Sequence, residues 1–310
     1  MSTPADLEQA LADYLQVRRA SGAGLARAEK LLRQYLSHLS EHGTDRITVA
    51  DAAAWATLPA AADPRWWAYR LSVARGFAAW LHTFDESVQV PPAGLIRSGP
   101  RRSTPYLYSD DEIVALLDAA GRLRHPLKSA TYQTLLGLLA VTGMRVGEAI
   151  GLDRADFDAA QGLLTVRAGK FGKARLLPLQ PSTVTAVNGY LRDRDRLCPV
   201  VASDALLVSV YGNRLRYNTV WRVVHKLLTD AGLTAGSPSR RRIHDLRHSF
   251  AVATLSDWYA HGADVAELLP RLSTYLGHTD PAHTYWYLSA APQLLTPAVR
   301  RLDTPQRGRR

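Results

Sequence analysis

Residues 90–105 carry Pro91, Pro92, Gly94, Gly99, Pro100 and Pro105, and between 87 and 109 the chain holds three arginines and no acid. Proline lacks a backbone N–H and forces its predecessor into extended geometry, so neither a helix nor an inner strand runs through such a stretch. The 310 residues must therefore fold as separate bodies, one over 1–88 and one over 105–291. The stretch 89–104 reads as a basic linker, and 292–310 as a C-terminal helix with a basic tail. Two bodies also suit the usual ~100–200 residues per domain. With 46% of residues hydrophobic, both have material for a core.

Ahead of the linker the apolar period is near 3.6. Leu7, Leu11, Tyr14, Leu15 and Val17 outline one helix, and Leu31, Leu32, Tyr35, Leu36 and Leu39 outline a second that ends at His42-Gly43. A third helix is expected over 49–55 behind Thr48, and a fourth over 63–81 with Trp66, Trp67, Phe77 and Trp80. After the linker, Ser109 followed by Glu112 is a capping box, and helices are expected over 110–122 and 127–141. The pattern then changes to two short β-type runs, 163–166 and 174–177, around a connection with Gly169, Lys170, Gly172 and Lys173. Helices resume over 181–196, 217–231, 244–261, 265–275 and 293–302. The expected fold is mainly α with a small β-hairpin or sheet: a four-helix N-terminal domain and an α+β second domain.

Charge narrows the partner. Lys+Arg number 38 against 28 Asp+Glu, a net of +10, which points to a polyanion. Residues 1–100 hold ten of each sign, so the whole excess lies in 101–310. One cysteine, Cys198, leaves no internal disulfide and no cysteine-cluster metal site. The N-terminus has acids where a secretory signal has a basic start, and no apolar run reaches bilayer length. A cytoplasmic, nucleoid-associated location is expected, with no membrane role.

Three segments carry the chemistry: Thr142-Gly143-Met144-Arg145-Val146-Gly147-Glu148, Arg240-Arg241-Arg242-Ile243-His244-Asp245-Leu246-Arg247-His248, and Leu276-Gly277-His278 with Tyr287 nine residues on. An arginine in a T-G-x-R-x-x-E setting, then H-x-L-R-H, then L-G-H and a late tyrosine, in this order, resemble the tyrosine recombinases, or phage integrases, a family of site-specific DNA recombinases. The resemblance covers about 105–290, and the helical segment before it suits the family's DNA-clasping domain.

The resemblance implies six catalytic residues. Tyr287 is the nucleophile that takes over a phosphodiester as a 3′-phosphotyrosyl link and later returns it. Arg145 and Arg247 present planar, permanently charged forks to the phosphate oxygens, where negative charge gathers in the transition state. His244 and His278 donate to the phosphate or move the tyrosine proton. Lys170 on the hairpin connection protonates the leaving 5′-oxygen, with Lys173 the near alternative. Glu148, one turn beyond Arg145, orients its guanidinium. Neither metal nor cofactor is implied. The i, i+4 pair His244 and His248 has the spacing of a helical zinc pair, but no third ligand can be placed.

Spacing selects Tyr287 over Tyr285, which with Trp286 is expected to pack around it. Arg247 and His278 stand 31 apart, longer than a compact member of the family, and an extra turn or loop is expected within 256–264. The Tyr285-Trp286-Tyr287-Leu288-Ser289 string is similar to recombinases of transposons and other mobile elements.

The implied partner is double-stranded DNA with a specific recombination site, held by a multimer: a dimer on a site, a tetramer in synapsis, with other mobile-element recombinases as further partners. Arg97, Arg101, Arg102, Lys173, Arg240, Arg241 and Arg242 are the DNA-binding candidates, and Arg214, Arg216 and Arg222 are similar. Each also fits a solvated surface charge. The terminal helix packs either on its own domain or on a neighbouring protomer. Two rival readings remain: a type IB topoisomerase, which relaxes DNA by the same chemistry, and a catalytically inactive DNA-binding accessory protein. Six intact positions speak against the second.

Overall fold

The structure is a computed structural model that describes residues 4–290 except 23, 45, 99–104, 168–173, 235–240, 279 and 281. The chain divides into two compact units, Met1–Ser103 and Thr104–Arg310.

In the first unit, helices α1 (Pro4–Ala20), α2 (Ala26–Glu41), α3 (Val49–Thr57) and α4 (Pro64–His82) enclose one core. Two of them start on side-chain caps. Thr48 accepts from the Asp51 N–H and Asp63 from the Arg65 N–H, with Pro64 at the first helical position, where its missing N–H costs nothing. Leu11, Leu15, Leu32, Tyr35, Trp55 and Phe77 are fully buried. Val17 lies two residues beyond Leu15 on the opposite side of α1 and is exposed. The start of the Pro/Gly stretch belongs to this unit rather than to a free linker. Val88 and Pro91 are buried, the Gln89 N–H donates to the Ile47 carbonyl at 2.9 Å, and the Gln89 side chain accepts from the Val49 N–H.

The second unit is mostly helical with one small sheet. Helix α5 (Asp110–Gly121) begins on the reciprocal Ser109–Glu112 capping box. Helix α6 (Pro126–Thr142) buries one broad face, with Leu127, Leu135, Leu136, Leu138 and Leu139 in the core of the unit, while Gln133 and Val141 on its other side stay exposed. The short α7 (Val146–Gly151) leads to strands β1 (Phe157–Asp158), β2 (Leu163–Val166) and β3 (Arg175–Pro178), antiparallel in the order β1-β2-β3. Leu164 stands opposite Leu177, both without solvent contact, which fixes the register because a one-residue slip would expose them. Helices α8 (Pro181–Leu197), α9 (Tyr217–Asp230), α10 (Asp245–Ala260), α11 (Val265–Leu276) and α12 (Ala282–Ala290) follow.

Three of these elements, α7, β1 and α12, have no counterpart among the expected ones. Six residues and two residues are too short to show a period, and α12 carries aromatics on several sides. The 31-residue interval from Arg247 to His278 holds most of α10, a turn within the 256–264 stretch, and α11. Helix α10 continues through 256–260, and a tight turn at Gly262, with φ of 72°, leads into α11. The C-terminal helix expected over 293–302 lies outside the described residues.

Candidate active site

The site is built around two helix ends that stop on left-handed glycines. Helix α6 ends at Gly143 (φ 60°) and α11 at Gly277 (φ 69°), conformations that cost other L-residues about 1–2 kcal/mol. A last-turn carbonyl of a helix has no partner within it and carries the negative end of the helix dipole, so it is a natural acceptor for a cation. Arg247 on α10 uses both ends. Its Nη1 donates to the Gly143 carbonyl at 2.8 Å and its Nη2 to the Leu276 carbonyl at 2.7 Å. Arg145, just before α7, donates from both Nη atoms to the Gly277 carbonyl at 3.3 Å. The two guanidinium groups are unequally exposed: the Arg145 side chain is 41% open to solvent, whereas Arg247 is 2% exposed. Burial and the nearby Arg145 lower Arg247 to about 10, which leaves it charged at neutral pH.

Glu148 holds Arg145 in place. One oxygen accepts from Arg145 Nη1 at 2.9 Å and the other from the Arg145 N–H at 2.8 Å. A third arginine arrives from the sheet. Arg175, the first residue of β3, donates to both Glu148 oxygens at 3.1 and 2.7 Å and from Nε to the Tyr275 carbonyl at 2.8 Å. Burial would raise the Glu148 carboxyl, but Arg175 and Arg145 outweigh it and hold the group below the ordinary carboxylate range. Gly277 is required here for space as well as for φ. A Cβ on it would lie 2.7 Å from Arg175 Nη1.

Tyr287 of α12 is 2% exposed and belongs to the apolar cluster of Leu255, Leu269, Leu272 and Leu276. Its ring stacks beside His278 with centroids 6.2 Å apart, and its hydroxyl lies 3.2 Å from Nδ1 of His248. His278 is oriented by Thr284, whose Oγ1 lies 2.7 Å from its Nδ1. Burial, followed by the charges of Arg247 and Arg145, pushes His278 down to about 3. His244 precedes α10, and its ring meets that of His248 edge-on at 5.0 Å. Close packing and the same two arginines lower it too, although its ring keeps an open face, so the cationic neighbours are the firmer cause.

Arg145, Glu148, His244, Arg247, His278 and Tyr287 thus meet in one region. Tyr285 is 53% exposed rather than packed around Tyr287 as expected, whereas the Trp286 ring does lie against Tyr287, at 5.5 Å between centroids. Lys170, Lys173, Arg101, Arg102 and Arg240 lie outside the described residues. Arg97 is exposed in the first unit. Arg241 is largely taken up inside the fold. It donates to Glu112, the Tyr106 hydroxyl and the Leu233 carbonyl and covers the Tyr106 ring, with 13% of its side chain exposed. Arg242 caps the buried Asp245 yet stays half exposed, while Arg214 is spent on Asp153 and two carbonyls. Among the described residues no group of three His, Cys, Asp or Glu is placed to hold a metal ion, and no helix is long and apolar enough to cross a membrane.

Three residues at this centre escaped the sequence reading: Arg175, His248 and Thr284. Arg175 had a weak signal as the arginine that opens a strand beside a lysine-bearing connection. His248 was visible only as a partner for His244, and nothing local marks Thr284.

A sequence model of the phage integrase family matches residues 107–293. The chain is 41% identical over 302 residues to y4rB of Sinorhizobium fredii, named as a candidate integrase/recombinase, covering 95% of this chain and 96% of that protein. It is 32% identical over 309 residues to the tyrosine recombinase XerD of Mycobacterium leprae, covering 93% of each. The XerH site-specific recombinase, in a post-cleavage complex with its palindromic difH substrate, shares the fold at a TM-score of 0.68 and 18% identity, over 97% of this chain and 85% of XerH. With motifs, site geometry and sequence in agreement, the chain belongs to the phage integrase family, the tyrosine-type site-specific DNA recombinases.

Proposed function

We propose that this recombinase cleaves and rejoins double-stranded DNA at a specific site through a 3′-phosphotyrosyl link to Tyr287, in the integration, excision or transposition of a mobile element. The observation that carries this reading is the meeting of Arg145 and Arg247 at adjoining helix-end carbonyls, with Tyr287 stacked on His278 beside them. In the reaction Tyr287 Oη bonds to phosphorus as the bond to the 5′-oxygen breaks. The two guanidinium groups take the charge that builds on the non-bridging oxygens, and Arg247, being water-poor, does so in a medium where fixed charge counts for most. Lys170 gives the leaving 5′-oxygen its proton. A 5′-hydroxyl from a second strand then reverses the steps and completes the exchange, with no loss of bond energy.

The chain acts as a dimer on each site and a tetramer in synapsis, and the excess charge of residues 101–310 supplies phosphate contacts. The mobile-element role rests on y4rB, named as a candidate integrase/recombinase, and on the Tyr285-Trp286-Tyr287 string. The test uses duplexes with a randomised sequence and a nick near the point of cleavage, so that the freed fragment diffuses away, in the presence of EDTA. Wild type is expected to form a covalent adduct and Tyr287→Phe none. An adduct from Tyr287→Phe, or none from wild type, contradicts the assignment. Recombinant products from two duplexes of different length separate strand exchange from simple relaxation.

A further inference from the structure

The tyrosine hydroxyl must lose its proton as its oxygen attacks phosphorus, and the histidines named by the sequence motifs are ill suited to accept it. His278 commits Nδ1 to Thr284. With Arg145 and Arg247 close by, both His278 and His244 resist protonation. The hydroxyl of Tyr287 instead lies 3.2 Å from Nδ1 of a histidine outside that set, His248.

We propose that His248 is the general base for Tyr287, taking the phenolic proton on Nδ1 during cleavage and returning it during rejoining. The inference rests on Tyr287 being the nucleophile. In the resting state Nε2 carries the hydrogen and Tyr287 Oη–H donates to Nδ1. As the Oη–P bond forms, the Oη–H bond breaks and its proton passes to Nδ1, giving an imidazolium. The 5′-oxygen separately gains a proton from Lys170. On rejoining, the 5′-hydroxyl attacks phosphorus and returns its proton to Lys170, the Oη–P bond breaks, and Oη recovers the proton from Nδ1, so the cycle closes without a further reactant.

The fold suits His248 to this task. It lies one turn after His244 on α10, on the side that α12 covers. Its ring is set by three aromatic neighbours: His244 at 5.0 Å, Trp286 at 5.6 Å and Tyr287 at 5.5 Å between centroids. Among the described residues, the titratable groups facing it include His244 just ahead of its own helix, Tyr287 from α12 and His278 from the turn after α11, the last two also within reach of the Arg247 charge. A general base must lie within hydrogen-bond reach of the proton it removes, about 2.6–3.2 Å, and His248 meets that condition before DNA is bound.

Single-turnover cleavage of a nicked duplex recovered from the randomised pool, followed from pH 5.5 to 9.5, tests the role. His248→Ala is expected to cleave about 100-fold more slowly at neutral pH. The deficit should shrink as pH rises toward phenol ionisation near ~10. Added imidazole should restore part of the rate. His248→Gln keeps a hydrogen-bond acceptor but cannot carry the proton, and is expected to be as slow as His248→Ala at neutral pH. Cleavage by both variants within a few-fold of wild type, or a deficit constant across the pH range, overturns the proposal. A DNA-free measurement stands beside it should either variant fail to fold. ¹⁵N-histidine spectra of the wild-type protein at pH 7.5 should show His248 neutral with its hydrogen on Nε2, and an Nδ1 signal that moves in Tyr287→Phe. An imidazolium or the Nδ1–H tautomer contradicts it. A Tyr287-dependent adduct with no His248 effect rejects this inference alone, whereas no adduct from wild type rejects the nucleophile assignment and this inference with it.

Discussion

The guanidinium of Arg247 donates to the carbonyl oxygen of Gly143 across 2.8 Å, joining residues 104 positions apart. The carbonyl is available because α6 stops there in a left-handed turn, and only a residue without a side chain makes that turn in this space. A Cβ at Gly143 would lie 2.5 Å from Phe250 Cδ1 and 3.1 Å from Leu276 Cδ2. Gly143→Ala therefore combines backbone strain with overpacking and is expected to destabilise the second unit by about 2–4 kcal/mol. Urea unfolding checks this. DNA cleavage should fall further than the stability loss explains, because the Arg247 support moves.

Arg175 ties the sheet to the catalytic pair through its fork on Glu148 and its bond to the Tyr275 carbonyl. Arg175→Lys cannot span both and should behave much like Arg175→Met. Arg175→Met leaves the buried Glu148 with one cation instead of two, and Arg175→Lys keeps the charge but loses the fork that reaches Glu148 and the Tyr275 carbonyl together, each at a cost of about 2–4 kcal/mol. Cleavage should drop by roughly 100-fold as Arg145 loses its fixed position. A double-mutant cycle with Glu148→Gln measures the coupling. Additive effects would mean that Arg175 acts by another route.

Thr284 Oγ1 lies 2.7 Å from Nδ1 of His278 and so leaves Nε2 as the ring nitrogen for the phosphate in the proposed reaction. Thr284→Val removes the partner of Nδ1, and loss of one such bond is worth about 1–2 kcal/mol, or about 10-fold in cleavage rate. Thr284→Ser should retain most activity. Equal rates for the Val and Ser variants would show that the contact does not orient the ring.

Protonation of His278 opposes folding. Its folded-state pKa, about 3, lies below the ordinary 6.5, so between these values the unfolded chain binds the proton more tightly. The stabilising effect of the neutral ring is complete above pH 6.5 and is lost as pH falls toward 3. Urea midpoints for the second unit should decline over that window, and His278→Gln should flatten part of the decline. An unchanged slope in the variant assigns it to other groups.

The sequence made the order of chemistry legible but not its supports. Arg145, Arg247, His278 and Tyr287 stand in short motifs, and the long helices follow from apolar periodicity. The contacts that hold them join Arg145 to Gly277, Arg175 to Tyr275 and His248 to Tyr287, and no local pattern encodes a contact across 39 to 132 positions. The glycines were visible as motif letters, yet their role depends on which carbonyl each turn exposes. Arg241 marks the reverse limit. In a run of three arginines it looks like a phosphate contact, and only the positions of Tyr106 and Glu112 reveal that it serves the fold.

The central claim is that Tyr287 becomes bonded to DNA. Wild-type protein trapped on a nicked duplex, digested with protease and nuclease and sequenced by tandem mass spectrometry, tests it most directly. The expected result is a nucleotide attached through its 3′-phosphate to Tyr287. A nucleotide on Tyr285 or any other residue, or a 5′-phosphate linkage, would contradict it.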